Sequence, residues 1–377
     1  MKIFSFFKNE ETGNPPYDYY FLQNLRKHEY PKYLAKLFYL NVGEKLPLVH
    51  GVIDKRRCKT FNQKLQWVKL YGVTPLMCDC TDKVKVRDYV KEKIGEEYLK
   101  PVLQVIPNNT SVIARNDSIL GDEAIQEEVK QETRNENSGI KPKFQAVDCH
   151  GTQNVVVPRN DGKFGDVSTY FNKIDFDKLP DSFVIKTNHG CKWQYIIKDK
   201  EEYLKNKRLF EYTKRKITGW LEQDYSFFNG FELNYQGIEP KIIIEPLLRE
   251  EIDIPDETIQ VYCFNSIPEL IIRFEKGTEN NTNLYDKEMN VTDDVLSYGD
   301  KNIHKLSDDF IKQTFVYSKQ LSKDFEFVRV DWMIYKNKLY FEELTFTPYS
   351  GFNKNLNQKY NKKFGKLMTL GEKNEFQ

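Results

Sequence analysis

The chain has 377 residues, enough for two or three domains, each with a core of its own. With 57 basic against 56 acidic side chains its formal net charge is +1, so no global field recruits nucleic acid or an anionic membrane, and recognition has to be local. No apolar run reaches the length of a membrane span, and MKIFSFFKNEETGN meets polar residues too early for a secretory h-region, so the expected location is the cytoplasm.

From residue 17 to 99 the pattern is mainly helical. DYYFLQNLRKHEYPKYLAKLFYL places apolar residues three and four apart with a break expected at Pro31, and FNQKLQWVKLYG is amphipathic and ends at Gly72, where the chain can turn left-handed. Thr81 or Asp82 then caps a predicted helix with Lys83, Lys85 and Arg87 in its first turns. Cations there oppose the helix dipole, which suits either a bound anion nearby or a solvated basic face. The six cysteines, at 58, 78, 80, 149, 191 and 263, form no CxxC pair, and Cys78 and Cys80 have no second pair of Cys or His nearby. Buried or idle thiols are expected, and no zinc.

Residues 104–168 differ from their flanks. They lack a sustained period after Pro107, are rich in polar residues, and end in short predicted strands, so they read as an insertion that is mobile in part. His150 beside Cys149 has no visible orienting partner. From Phe171 order resumes: a strand FVIK, the turn Thr187, Asn188, His189, Gly190, and a strand WQYIIK. An apolar strand ending in Lys186 before a small turn is one way to hold phosphate, although a Walker motif is absent. After a helix comes KIIIEPLL, a buried strand ending on Glu245 and Pro246. TIQVYCFNSIPELIIRF reads as a hairpin around Asn265 and Ser266, residues 276–305 as polar loop, DDFIKQTFVYSKQLSKDF as an amphipathic helix, and the C-terminal residues as a polar tail.

Before that tail lies FVRVDWMIYKNKLYFEELTFTPYSGF, a predicted hairpin turning at Lys336 and Asn337. Asp331 on its first strand and Glu342 and Glu343 on its second interrupt apolar runs. A carboxylate in a buried strand needs a cation or a hydrogen-bond network, so a divalent metal is one explanation and a solvated face paired with lysines the other.

Taken in order, TDKVKVRDYV, LPDSFVIKTNHG, KIIIEPLL and the hairpin resemble the TupA-like ATP-grasp family of bacterial surface-polysaccharide loci, over about residues 60–103 and 170–365. The resemblance implies an α/β (α+β) ATP-grasp fold with a helical N-terminal region (1–103), an inserted segment (104–168), a small lid subdomain (169–245) and a large subdomain carrying the metal-site hairpin (246–377). It implies that Lys83 and Lys186 hold ATP phosphates, with His189 and Gly190 in the phosphate-contacting turn. Glu245 and the backbone through Leu247 and Leu248 receive the adenine, and Asp331 and Glu343 bind Mg2+. Arg329 steadies an acyl phosphate. The usual Glu-x-Asn is here Glu343, Leu344, Thr345, so a hydroxyl stands where the amide oxygen would be; Thr258, Gln260 and Ser266 also depart from the family pattern.

The implied activity is ATP-dependent ligation of a small-molecule carboxylate, a uronic acid free, as a sugar nucleotide or in a polymer, to an amine. The alternative is a sugar-nucleotide-dependent glycosyltransferase using the DxD motif Asp175, Phe176, Asp177.

Overall fold

The computed structural model describes residues 30–106, 167, 169–227, 230–248, 257–275, 278–288, 290 and 308–371. In chain order the main elements are α1 (Tyr30–Val42), β1 (Leu48–Val49), β2 (Val52–Ile53), α2 (Phe61–Trp67), α3 (Pro75–Thr81), α4 (Val86–Ile94), β3 (Gln104–Ile106), β4 (Phe183–Thr187), β5 (Gln194–Ile197), α5 (Lys200–Lys205), α6 (Lys207–Leu221), β6 (Ile242–Pro246), β7 (Glu257–Phe264), β8 (Ile267–Glu275), β9 (Thr278–Asp286), α7 (Asp308–Leu321), β10 (Phe327–Tyr335), β11 (Lys338–Thr345) and α8 (Gln358–Leu367). They divide into two compact units. Pro101–Gln223 and Pro240–Leu247 belong to the first; Asn24–Lys100, Asp224–Glu239 and Leu248–Gln377 belong to the second.

The first unit is built on an antiparallel sheet of order β3-β6-β4-β5. Its β6 is IIIEP with Ile242, Ile243 and Ile244 buried, as expected for a strand with neighbours on both sides. Segment 104–106, read from the sequence as the start of the insertion, is instead the sheet's edge strand, and residues 107–166, including Cys149 and His150, lie outside the described residues. Helix α6 puts Thr213, Ile217, Trp220 and Leu221 on one buried face, and Phe171, Phe176, Phe183, Tyr203 and Phe210 form the aromatic core beside it.

The second unit carries the antiparallel sheet β11-β10-β7-β8-β9. Both of its tight turns came from asparagine-containing dipeptides, and the backbone shows why. Asn265 and Ser266 have φ of 47° and 66°, and Lys336 and Asn337 have 47° and 58°, the doubly left-handed geometry that matches strand twist. One sheet face meets α7, where the Trp332 indole donates to Ser318 Oγ at 2.8 Å. At one end the other face is covered by α2 and α8, whose Phe61 and Phe364 pack with Tyr262, Phe264 and Phe327. Residues 30–100, read as a region preceding the core, fold with the hairpin in this unit.

Four local expectations change. Pro31 does not break a helix; it lies in the first turn of α1, where its missing N–H is an orphan anyway. Gly72 has no positive φ, and it ends a π turn, Val68–Gly72, where a Cβ would stand 2.9 Å from the Trp67 ring. Residues 278–286, too polar to read as a strand, pair with β8 from Leu270 to Glu275 as an edge strand. The polar tail contains α8, because its lysines leave a stripe of Asn361, Phe364 and Gly365 free to bury. Among the described residues no helix is long and apolar enough to cross a membrane.

Phe364 is 1% exposed and touches four aromatic rings. Phe364→Ala is therefore expected to cost about 3–5 kcal/mol in urea unfolding, and a loss below about 1 kcal/mol would show that α8 is not part of the core.

Candidate functional site

On β10, strand alternation sets Arg329 and Asp331 on one face. The register then places Thr345 and Tyr262 on either side of Arg329, and Glu343 and Gln260 on either side of Asp331. The result is a polar patch two residues deep and three strands wide, in strands whose remaining positions are almost all apolar. The Arg329 guanidinium grips Asp331 with two bonds, Nε to Oδ1 at 2.7 Å and Nη2 to Oδ2 at 2.5 Å. The same Nη2 reaches Thr345 Oγ1 at 3.1 Å and Glu343 Oε1 at 3.4 Å, and the Thr345 hydroxyl donates to Glu343 at 3.0 Å.

Glu342 and Glu343, adjacent in sequence, go separate ways. A register shift between Asp331 and Trp332 leaves Glu342 as the extra residue of a bulge. Its carboxylate takes Lys100 at 3.1 Å, the lysine pairing weighed from the sequence, while Glu343 faces the Asp331 side.

The patch is electrostatically unfinished. Arg329 and Asp331 are only 7% and 4% exposed. Burial pushes the Asp331 carboxyl up to about 7, against the pull of Arg329 and with a further push from Glu343 and Glu342. Glu343, with a side chain 37% exposed, is partly screened by water, so the ionised form that a further cation would favour is that of buried Asp331. Among the described residues no three His, Cys, Asp or Glu side chains converge to form a complete metal cage. Magnesium does not need one: it takes one or two carboxylates and completes its shell with phosphate oxygens and water. Asp331, Glu343 and the Thr345 hydroxyl fit it as that partial donor set.

In the first unit the register sets Val184 opposite Glu245, so Lys186, two residues on, is the diagonal neighbour of that acid on one face. Lys186 Nζ lies 2.6 Å from Glu245 Oε2, with both side chains about nine-tenths buried. The turn that follows is fastened. Asn188 accepts from the Lys241 backbone at 2.7 Å, and the His189 ring has Nδ1 3.3 Å from Asn188 Oδ1 and Nε2 3.1 Å from the Trp220 carbonyl. His189 is fully buried, so its ring is engaged by protein rather than turned outward for phosphate. Trp193 folds back over Gly190, where a Cβ would come within 2.2 Å of its ring, so only glycine fits.

The other residues singled out from the sequence fall as follows. Lys83 is half-buried in the turn between α3 and α4, not in a helix's first turn, because Thr81 ends α3 and Asp82 is its C-cap. Leu247 ends the first unit and Leu248 begins the second, packed on Met333, Tyr335 and Tyr340. Asp175 spends its carboxylate on Lys178 at 2.7 Å, and Asp177 is exposed. Burial pushes the thiols of Cys78 and Cys80 up to about 11 and about 12. Gln260 was singled out only as a departure; its Nε2 is 3.4 Å from Asp331 Oδ2, so an amide completes the patch where a charged residue would alter it.

A family model described as TupA-like ATPgrasp matches residues 125–369. No curated protein matches the chain. Among solved structures, D-alanine–D-alanine ligase from Bacillus anthracis complexed with ATP is 16% identical over 45% of this chain and 40% of that one, with a TM-score of 0.24. The Helicobacter pylori D-alanine–D-alanine ligase is 12% identical over 55% and 51%, with a TM-score of 0.32. N5-carboxyaminoimidazole synthetase from Staphylococcus aureus complexed with ADP is 13% identical over 71% and 44%, with a TM-score of 0.29. The chain thus spans about half or less of the length of each.

The buried pair makes a stability prediction. Arg329→Ala should destabilise the protein by about 3–5 kcal/mol by stranding a buried carboxylate, and adding Asp331→Ala should recover part of that loss. Chemical denaturation of the single and double variants checks it; a double variant no more stable than Arg329→Ala would show that Asp331 is not the stranded group.

Proposed function

The chain belongs to the TupA-like ATP-grasp family, and we propose that it is an ATP-dependent carboxylate–amine ligase that acts on a uronic acid, free, as a sugar nucleotide or within a surface polysaccharide. The terminal phosphoryl of ATP passes to the carboxylate, giving an acyl phosphate and ADP. The amine attacks the acyl carbon, loses a proton and expels inorganic phosphate, leaving an amide. The observation that carries this reading is the Arg329, Asp331 and Glu343 cluster: two acids in register on neighbouring strands, under-compensated by one buried arginine.

Each residue has a role that its surroundings support. Lys186 is a buried ammonium paired with Glu245, and exchanging Glu245 for a phosphate oxygen keeps its charge compensated. Glu245 and the backbone through Leu247 and Leu248 serve the adenine. Lys83 adds charge toward the phosphates. His189 anchors the turn after Lys186, in which Gly190 lies under the Trp193 ring, through its bonds to Asn188 and Trp220. Arg329, held planar against Asp331, presents a fixed charge at the edge of the patch for an acyl phosphate. Magnesium, held by Asp331 and Glu343 beside Thr345, would neutralise phosphate charge during transfer.

Incubation with ATP, magnesium and a panel of uronates and amines, followed by mass spectrometry, tests the reading. ADP, phosphate and an amide adduct are expected; UDP release without ADP would assign glycosyl transfer instead. Lys186→Ala should weaken ATP binding by about tenfold or more, the worth of one charge-assisted contact, while Arg329→Lys lowers turnover with little change in ATP affinity. Equal effects of the two variants on ATP affinity would contradict this division of roles.

A further inference from the structure

Directly after β11 the backbone does something costly. Tyr349 (φ 52°, ψ 27°), Ser350 (φ 51°, ψ 25°) and Gly351 (φ 69°) are left-handed in succession. For the two that are not glycine this conformation is strained.

The turn is held from below by side chains that sequence patterns assign to a polar face. Asn62, Gln66 and Lys69 recur at helical spacing along α2 and its π turn, all fully buried. Lys69 Nζ donates to the Ser350 carbonyl at 2.9 Å, Gln66 Nε2 to the carbonyls of Ser350 and Gly351 at 3.1 and 2.8 Å, and Asn62 Nδ2 to that of Asn353 at 2.9 Å. The Lys69 ammonium also lies 4.4 Å over the Phe352 ring. Its acidic counterpart is Glu232, likewise buried, which accepts from the Thr347 hydroxyl at 2.5 Å. Burial pushes the Lys69 ammonium down and the Glu232 carboxyl up, and each partner opposes the shift of the other. Buried charges such as these are often replaceable by apolar residues without loss of stability, so stability alone does not explain them.

What the pair holds in place is Tyr349, whose side chain stays 51% exposed. Tyr349 stands just beyond the end of β11, four residues after Thr345, whose hydroxyl takes the Arg329 guanidinium at 3.1 Å in the patch. A half-exposed aromatic in a strained conformation, next to the acid patch and anchored by a buried charge pair, is placed to meet a ligand.

We propose that Lys69 and Glu232 are positioning residues that lock residues 347–351 and so present the Tyr349 ring to the carboxylate-bearing substrate. On the uronate reading given above, on which this inference rests, that substrate offers the face of a saturated sugar ring. The ring stacks on Tyr349 through its C–H groups.

The test uses the full chain with UDP-glucuronate as probe, reading uronate affinity by calorimetry, ATP affinity separately, and thermal unfolding. Tyr349→Ala should weaken uronate binding about tenfold with ATP affinity unchanged, and Tyr349→Trp should retain it. Lys69→Met with Glu232→Leu should reproduce the uronate defect, and combining it with Tyr349→Ala should add nothing further. If the double variant does not fold, Thr347→Val, which removes the hydroxyl that donates to Glu232, takes its place in the cycle. Unchanged uronate affinity in Tyr349→Ala overturns the contact, and additive losses overturn the positioning role. A wild-type protein that binds ATP but no uronate overturns this inference together with the substrate assignment, whereas a wild type that binds both, with Tyr349→Ala unaffected, overturns this inference alone.

Discussion

The buried two-bond pairing of Arg329 with Asp331 is the constraint around which the second unit is organised. Two charged groups in a strand flanked by apolar residues are tolerated only with ideal geometry and satisfied neighbours. That requirement explains the Thr345 hydroxyl on one flank, the Gln260 amide on the other and the bulge that turns Glu342 away to Lys100. Leaving Glu343 facing the pair keeps the patch one positive charge short. A protein built for stability alone would close that account with a second arginine or with no acids at all.

The first unit applies the same logic on a smaller scale. Lys186 and Glu245 are diagonal partners on adjacent strands, and the turn after Lys186 is pinned by Asn188, His189 and the Trp193 ring over Gly190. A lysine held by one acid and a rigid turn makes a pre-set ammonium, which loses little entropy when its partner changes.

Much of this was legible in the sequence, and the reasons are local. Strand alternation put Arg329 and Asp331 on one face, and Lys336 with Asn337 announced the hairpin that brings Glu343 opposite. FVIK and KIIIEP read as strands because β-branched runs have few other options. What was hidden depends on distant partners. TENNTNLYD carries almost no strand propensity and pairs because β8 offers a free edge. The tail helix α8 is invisible until Phe61 and Phe264 supply the surface it buries against. His189 looked like a phosphate contact because a histidine in a small turn is usually exposed, and only the approach of α6 turns it inward. Lys69 and Glu232 look like ordinary surface charges until the fold buries them together.

The central claim is that Asp331 and Glu343 form a cation-dependent phosphate site, and calorimetric titration of ATP with and without magnesium tests it most directly. The account predicts that magnesium strengthens ATP binding to the wild-type protein and that Asp331→Asn, compared at a temperature where it is fully folded, loses that gain while keeping its magnesium-free affinity. An Asp331→Asn protein in which magnesium still strengthens ATP binding to the wild-type extent would contradict it.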